Sequence, residues 1–479
     1  MYFSFILIYL VALILIGVIK TRKVKDASDF ALAGRSLTPW VLLGTMIATW
    51  IGTGSILGNA GKTYNTGLAA IMIPLGSLLG VILLVFIAEK VRNMEITTVP
   101  EIIGNRFGDT SRNLVTIALV MAYMVIVSYQ YNAGGSILQV VLVDEYNQPL
   151  ISMDTAVIIS AIFIVAYTVL AGLFSVAYTD VANAVIIILT FIISLPLLWM
   201  KAGGLSGIES AFDTSGRASH MDFLGVFGPI DIINFCLPPF LLILGDANMY
   251  QRFSAGRSGA GVKKATIYFV FGVLIVETLI IATAWVSSAM IPDAEIGRHV
   301  MIYAAKNILP PLLGATMITT IVGIIISTAD SYLLVPATTI VHDVYRKYIN
   351  KTSDPKHILI VNRICVLLLG FIAFWVSKGF AKSEGFFERA LYAYTIYGAG
   401  ITPSLMAALF WKKATSTGVT ASIITGVVVT LLWKEWDWLT QVLPQSSFSF
   451  DEVLPAAFAS TFVLITVSLL TQRKNAFKN

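Results

Sequence analysis

The chain has 479 residues, 57% of them hydrophobic and only 12% charged, and its mean hydropathy is +0.83. Charged residues are about half their usual share in soluble domains, which excludes a water-soluble fold and predicts an all-α integral membrane protein. A formal net charge of +5 gives no argument for nucleic acid. The two cysteines, Cys236 and Cys365, sit in apolar runs and make neither a metal spacing nor a disulfide framework.

The chain opens on MYFSFILIYLVALILIGVIK, with Lys20, Arg22, Lys23 and Lys25 after the apolar run. A secretory leader carries its charge first and ends on a small-residue cleavage site. This is therefore a first membrane span at 2–20. Further apolar runs fall near 39–58, 68–91, 114–142, 155–172, 180–200, 231–250, 265–290, 311–336, 358–377, 389–411, 416–433 and 454–471. The expectation is about thirteen spans. Lysine and arginine concentrate in alternate loops, Arg252 to Lys264 among them, roughly 22 against about 9 in the opposite set, and such bases are expected to form a solvated face near anionic lipid. The positive-inside rule then places the N-terminus outside and the C-terminus in the cytoplasm, in the plasma (inner) membrane. The longest outer loops expected are Lys201 to Pro229 and Lys434 to Glu452.

Two runs carry breakers. The second, VLLGTMIATWIGTGSILGNAG, has Gly52 and Gly54 at its middle; the seventh has Pro238, Pro239, Gly245 and Asp246. Proline removes a backbone donor and glycine tolerates non-helical torsions, so both spans are expected to unwind at depth. Irregular backbone there must be buried or line a cavity. Interrupted segments in matching positions of two halves point to a transporter's binding site. The pair lies five spans apart.

The ninth run holds IVGIIISTADSYLLV, Ile321 to Val335, with Ser327, Thr328, Asp330 and Ser331 nearly adjacent. On a helix, positions 324, 327, 328 and 331 form one stripe. An ionisable group at that depth needs a partner or a wet cavity, and a stripe of oxygens suits a hard monovalent cation. Hydroxyls that bond back to the previous turn are the plainer alternative.

These residues resemble the sodium:solute symporter family over most of the chain. The resemblance rests on ASDFALAGRSL before the first broken span, TTVPEIIGNRFG at Thr97 to Gly108, YTVLAGLFSVAYTDV at Tyr167 to Val181, and ISTADSYLLV. Within the family, ATWIGTGSILGNAG and AGLFSVAYTDV look most like the high-affinity choline transporter branch. The resemblance implies the five-plus-five inverted repeat of the LeuT fold. Residues 39–230 would form the first repeat and 231–413 the second. One helix stands in front within 1–38, and two stand behind within 414–479. It also implies sodium as coupling ion and import of a small organic solute across the lipid bilayer by alternating access.

Carried over by motif, the sodium site would use backbone carbonyls of Ala48, Ile51 and Ile324 and the hydroxyls of Ser327 and Thr328. A second sodium site, present in some members, would use Asp180, Ser327, Asp330 and Ser331. Asp330 departs from the family's hydroxyl pattern and offers a proton relay as an alternative. Asp180 also opens the sixth run, where an N-cap aspartate is common.

Substrate candidates flank the two breaks: Thr49, Trp50, Thr53 and Ser55 at the first, Asp246 and Asn248 at the second. Tyr129 and Gln130, mid-span in SYQYNAGGS, join them, either as a pocket wall or as interhelical hydrogen bonds. A choline-like ligand would want an aromatic cage around its cation. Competing expectations are a proton-coupled carrier that uses Asp180 and Asp330, and a membrane solute sensor. The short tail after the last span argues against a sensor. No nucleophile–base pair or cofactor motif suggests an enzyme.

Overall fold

The computed structural model describes residues 2–21, 27–146, 148–224, 226–291, 297, 299–351, 354–379, 385–435 and 450–476. Among these the regular structure is helical. The order is α1 (Tyr2–Thr21), α2 (Ala27–Leu32), α3 (Pro39–Trp50), α4 (Ala60–Thr66), α5 (Leu75–Asn93), α6 (Val99–Phe107), α7 (Asp109–Val141), α8 (Met153–Lys201) and α9 (Gly204–Thr214). Then come α10 (Pro229–Gly245), α11 (Ala247–Ala255), α12 (Gly259–Ala289), α13 (Val300–Tyr303), α14 (Pro311–Thr339), α15 (Pro355–Gly379), α16 (Phe386–Phe410), α17 (Ser416–Glu435) and α18 (Val453–Ala476).

Each of the thirteen expected apolar runs falls on helical segments. By length and hydropathy alone, eight helices among the described residues are long and apolar enough to cross a membrane, or nine with one bent pair. The fifth and sixth runs share α8, which breaks at Gly172 (φ 63, ψ 167). Helix starts follow the usual chemistry. Proline stands in the first turn of α3, α6, α10 and α14, where its missing donor costs nothing. Thr98, Ser152 and Ser258 cap α6, α8 and α12 by accepting from the backbone N–H three residues on.

Burial sorts the helices into centre and periphery. In the most apolar windows of α7 and α14, 72% of the residues are buried, against 33% in α15 and α17 and 28% in α18. Every residue of α14 from Ile324 to Thr339 is buried. The oxygen-bearing stripe therefore sits in the middle of the bundle and not against lipid.

Three expectations need correction. Asp180 is not an N-cap: it lies well inside α8 and is fully buried. Pro238 and Pro239 do not break the seventh span; α10 runs through both and ends at Gly245, and the turn falls at Asp246 (ψ 112). Arg252 is not a solvated base near the headgroups; it is fully buried on α11. Of the two expected long loops, Lys201 to Pro229 folds back as α9 and a 3-10 turn at Ala218–Met221. Residues 436–449 of the other lie outside the described residues.

The 3-10 turn packs against the arm that follows α4. Trp285 Nε1 donates to the His220 carbonyl at 2.9 Å. Gly67, at φ +66, lies so close that an added Cβ would be 2.3 Å from His220 Cα. Burial and the Arg217 guanidinium push the His220 imidazole below its ordinary pKa. Gly67→Ala should combine left-handed strain with a backbone clash, costing about 1–3 kcal/mol or more. A fall in the thermal unfolding midpoint checks this; an unchanged midpoint would mean the turn undocks freely.

Candidate functional site

The first break is built by the backbone of α3. Its ladder ends with Ile51 N–H on Ile47 O at 2.9 Å. Ile51 then leaves helical torsions (φ −74, ψ 90). Winding resumes with Ser55 and Ile56 N–H on Gly52 O, at 3.1 and 3.0 Å, and continues as a π-helix over Gly54–Asn59. The two arms meet at a bend of 52°.

Helix α14 lies against this bend. Ser327 Oγ donates to the Ala48 carbonyl at 3.3 Å. Gly52 has its open side on Thr328: an added Cβ would be 3.1 Å from Thr328 Oγ1 and Cγ2. Thr328 Oγ1 is buried and has no hydrogen-bond partner. Leaving a buried hydroxyl unsatisfied costs about 1–3 kcal/mol, so an orphan here points to a ligand. Ala48, Ile51 and Ile324 are all fully buried, and an apolar residue can offer only its carbonyl. Neutral carbonyl and hydroxyl oxygens without thiolate or imidazole fit a hard alkali ion such as sodium.

One turn away is a buried charge cluster. Asp180 accepts from Ser327 Oγ and Thr45 Oγ1, both at 2.5 Å, and pairs with Arg252 Nη2 at 3.5 Å. Arg252 also donates to Thr45 Oγ1 at 3.1 Å, Ser331 Oγ at 2.8 Å and the Asn248 carbonyl at 3.3 Å. Ser331 Oγ lies 3.4 Å from Thr49 Oγ1. Asp330 is equally buried, and its Oδ1 has no partner. Four helices, α3, α8, α11 and α14, thus converge on one carboxylate–guanidinium pair.

The second break is filled differently. Tyr397 OH donates to Gly245 O at 2.7 Å and accepts from Ala247 N at 3.1 Å. Thr402 Oγ1 donates to Leu241 O at 2.7 Å, and Tyr250 OH to Leu244 O at 3.0 Å. Asp246 caps α11 through Asn248 N at 3.1 Å and accepts from Tyr123 OH. The Tyr123 ring packs on Tyr332 and Tyr397 at 4.6 and 5.4 Å between centroids.

Beyond the first break lies a small cavity of about 30 Å³, with Trp50, Phe235, Glu277, Phe387 and Tyr394 in its wall. Trp50 stacks on Tyr394 at 6.4 Å, and Phe235 meets Phe387 edge-on at 5.4 Å. Glu277 of α12 is 3% exposed and accepts from Ser55 Oγ at 2.6 Å and Asn59 Nδ2 at 3.1 Å. Phe387 also lines a neighbouring cavity of about 620 Å³ with Lys62 and Arg389.

The sequence-derived candidates therefore separate into three places. Ala48, Ile51, Ser327 and Thr328 meet at the first break, where Ile324 stands one turn before Thr328. Asp180, Ser331 and Thr49 belong to the charge cluster, with Asp330 beside it. Trp50 and Ser55 line the small cavity, and Tyr129 lies beside its Tyr394. Thr53 is turned to Gln130 in a buried hydrogen bond. Asp246 and Asn248 are not among the residues around the small cavity; they organise the second break. The sequence reading missed Arg252, Thr45, Glu277 and Tyr394. Glu277 carried a usable signal, since it is a carboxylate at the centre of the apolar run 265–290.

Comparison with known proteins came out consistently. The Sodium:solute symporter family matches residues 30–426. The sodium/proline symporter of Haemophilus influenzae is 24% identical over 97% of this chain and 94% of its own length. The high-affinity proline transporter PutP of Bacillus subtilis is 25% identical over 96% of each. Among solved structures, a substrate-bound, outward-open Na+-coupled sialic acid symporter superposes with a TM-score of 0.81 at 16% identity, over 98% of this chain and 97% of that one. That superposition establishes the LeuT-type fold.

Proposed function

The chain belongs to the sodium:solute symporter family, and from that premise we propose that it imports a small organic solute together with sodium by alternating access. It is a multi-pass membrane transporter, and sodium is its coupling ion. The ion would be held by the carbonyls of Ala48, Ile51 and Ile324 and the hydroxyls of Ser327 and Thr328. The observation that carries this site is the orphaned Thr328 hydroxyl against the break at Gly52, beside Ser327 on Ala48 O. We place the N-terminus outside and the C-terminus in the cytoplasm. We take 39–230 and 231–413 as the two inverted repeats, each opening on an interrupted span.

The relatives above favour proline or a solute of that size and polarity over a choline-branch assignment. One sodium per cycle is the stoichiometry we favour. A second ion at Asp180, Ser327, Asp330 and Ser331 would have to displace Arg252, whose guanidinium already pairs with Asp180 and donates to Ser331. Proton coupling through Asp330 is the runner-up, because its Oδ1 is buried without a partner.

Uptake of labelled proline into proteoliposomes, driven by a sodium or a pH gradient alone, tests these points together. Sodium should drive accumulation with a Hill coefficient near one, and a pH gradient without sodium should drive none. A coefficient near two would restore the second site. Accumulation on the pH gradient alone would overturn sodium coupling.

A further inference from the structure

The small cavity beyond the first break has the chemistry of a cation receptor. Trp50, Phe235, Phe387 and Tyr394 supply four aromatic rings, brought together from the broken span, α10 and α16. Glu277 enters from α12, and its two hydrogen-bond donors, Ser55 and Asn59, are both neutral. Among the described residues no lysine, arginine or histidine forms an ion pair with it. Asp180, by contrast, has Arg252. A buried carboxylate without a counter-charge is costly in any interior and more so at membrane depth. Each carboxylate oxygen can accept more than one donor, so Glu277 retains acceptor capacity.

The rings already bind an ammonium of the chain itself from another side. Lys62 Nζ stands 4.7 Å from the Phe235 centroid and 5.5 Å from that of Phe387. Lys62 lines the larger cavity and not the small one. Aromatic faces and a desolvated carboxylate together select a positive charge spread under carbon, by cation–π attraction and by direct charge pairing. A sugar hydroxyl or a second carboxylate gains from neither.

We propose that Glu277, with the rings of Trp50, Phe235, Phe387 and Tyr394, binds an alkylated ammonium group of the transported solute. A ring nitrogen such as a pyrrolidinium and a methylated nitrogen such as a trimethylammonium share that chemistry. The proposal rests on the symport reading above and narrows its substrate class. The rings close on only about 30 Å³, and Phe387 borders the 620 Å³ cavity as well. Phe387 is therefore the ring that an entering solute displaces.

The test is thermal unfolding of the purified full chain in detergent, with and without sodium, against L-proline, glycine betaine, choline, glucose and succinate. At least one of the three alkylated ammonium solutes should raise the midpoint, and glucose and succinate should not. Glu277→Gln should remove that ligand shift while the shift produced by sodium alone persists. The sodium shift shows that the variant is folded and that the ion site is intact. Should Glu277→Gln not fold, Trp50→Leu against Trp50→Phe reads the opposite wall: Phe keeps the ligand shift and Leu loses it. Stabilisation by glucose or succinate alone, no stabilisation by any ammonium solute, or a Gln variant binding within twofold of the parent overturns the proposal. Failure of the symport reading looks different, since sodium alone would then shift nothing.

Discussion

Ser327→Ala combined with Thr328→Ala is expected to abolish sodium-driven uptake while the protein still folds. Changing groups that merely orient metal ligands commonly costs 10–100-fold in metal affinity. Losing two of five proposed oxygens directly should therefore cost more than about 100-fold. The two hydroxyls differ in what they do for the fold. The single Ser327 hydroxyl proton goes to Asp180 at 2.5 Å, with Ala48 O at 3.3 Å as the weaker second acceptor. Its removal should cost about 1.5–3 kcal/mol of stability, since the nearer acceptor is charged. Thr328 Oγ1 bonds nothing, so Thr328→Ala alone should leave the sodium-free protein as stable as the parent and remove most of the stabilisation that sodium confers. Thermal unfolding with and without sodium reads both effects. Sodium-driven concentration by the double variant would rule the site out.

The second large effect concerns Arg252. Removing one partner of a buried ion pair strands the other charge, at a cost of about 3–5 kcal/mol. Arg252 and Asp180 are both fully buried, with side chains 0% exposed. Arg252→Met should therefore lower the unfolding midpoint sharply, and so should Asp180→Asn, which strands the guanidinium. The double replacement should recover much of the loss, because apolar or neutral groups of similar volume often substitute for a buried pair at little net cost. A double-mutant cycle separates the pair's coupling from the loss of the bonds to Thr45, Ser331 and Asn248. If Arg252→Met melts with the parent, the pair is not what joins α3, α8, α11 and α14.

The outcome for each element shows which physical signals are local. The break in the second span was legible because Gly52 and Gly54 interrupt an apolar run, a property of a few adjacent residues. The oxygen stripe of α14 was legible from helical periodicity alone. At the seventh span the same logic named four breakers, and the turn came at Gly245 and Asp246 and not at the prolines. Pro238 and Pro239 remove donors but do not force a break, since membrane helices absorb proline by local adjustment. Arg252 was illegible because charge counting cannot distinguish a base at a helix end from one folded back under the bundle. Only the geometry of α11 puts it beside Asp180. The aromatic wall could not be anticipated either. Trp50, Phe235, Phe387 and Tyr394 lie on three spans far apart in sequence, and nothing in their local context marks them as neighbours.

The two interruptions end in opposite conditions. At the second, the carbonyls of Leu241, Leu244 and Gly245 each receive a hydroxyl from Thr402, Tyr250 or Tyr397. Those carbonyls are held by the chain's own side chains, and what this break leaves open is the buried Asp246 Oδ2 and Asn248 Oδ1, neither with a partner. At the first, the Ala48 carbonyl meets only the light hand of a serine, and a threonine oxygen waits alongside with nothing to hold. The two matching halves thus present different open groups, a neutral hydroxyl at the first fracture and a carboxylate and an amide oxygen at the second, so a ligand that fastens one has no counterpart at the other.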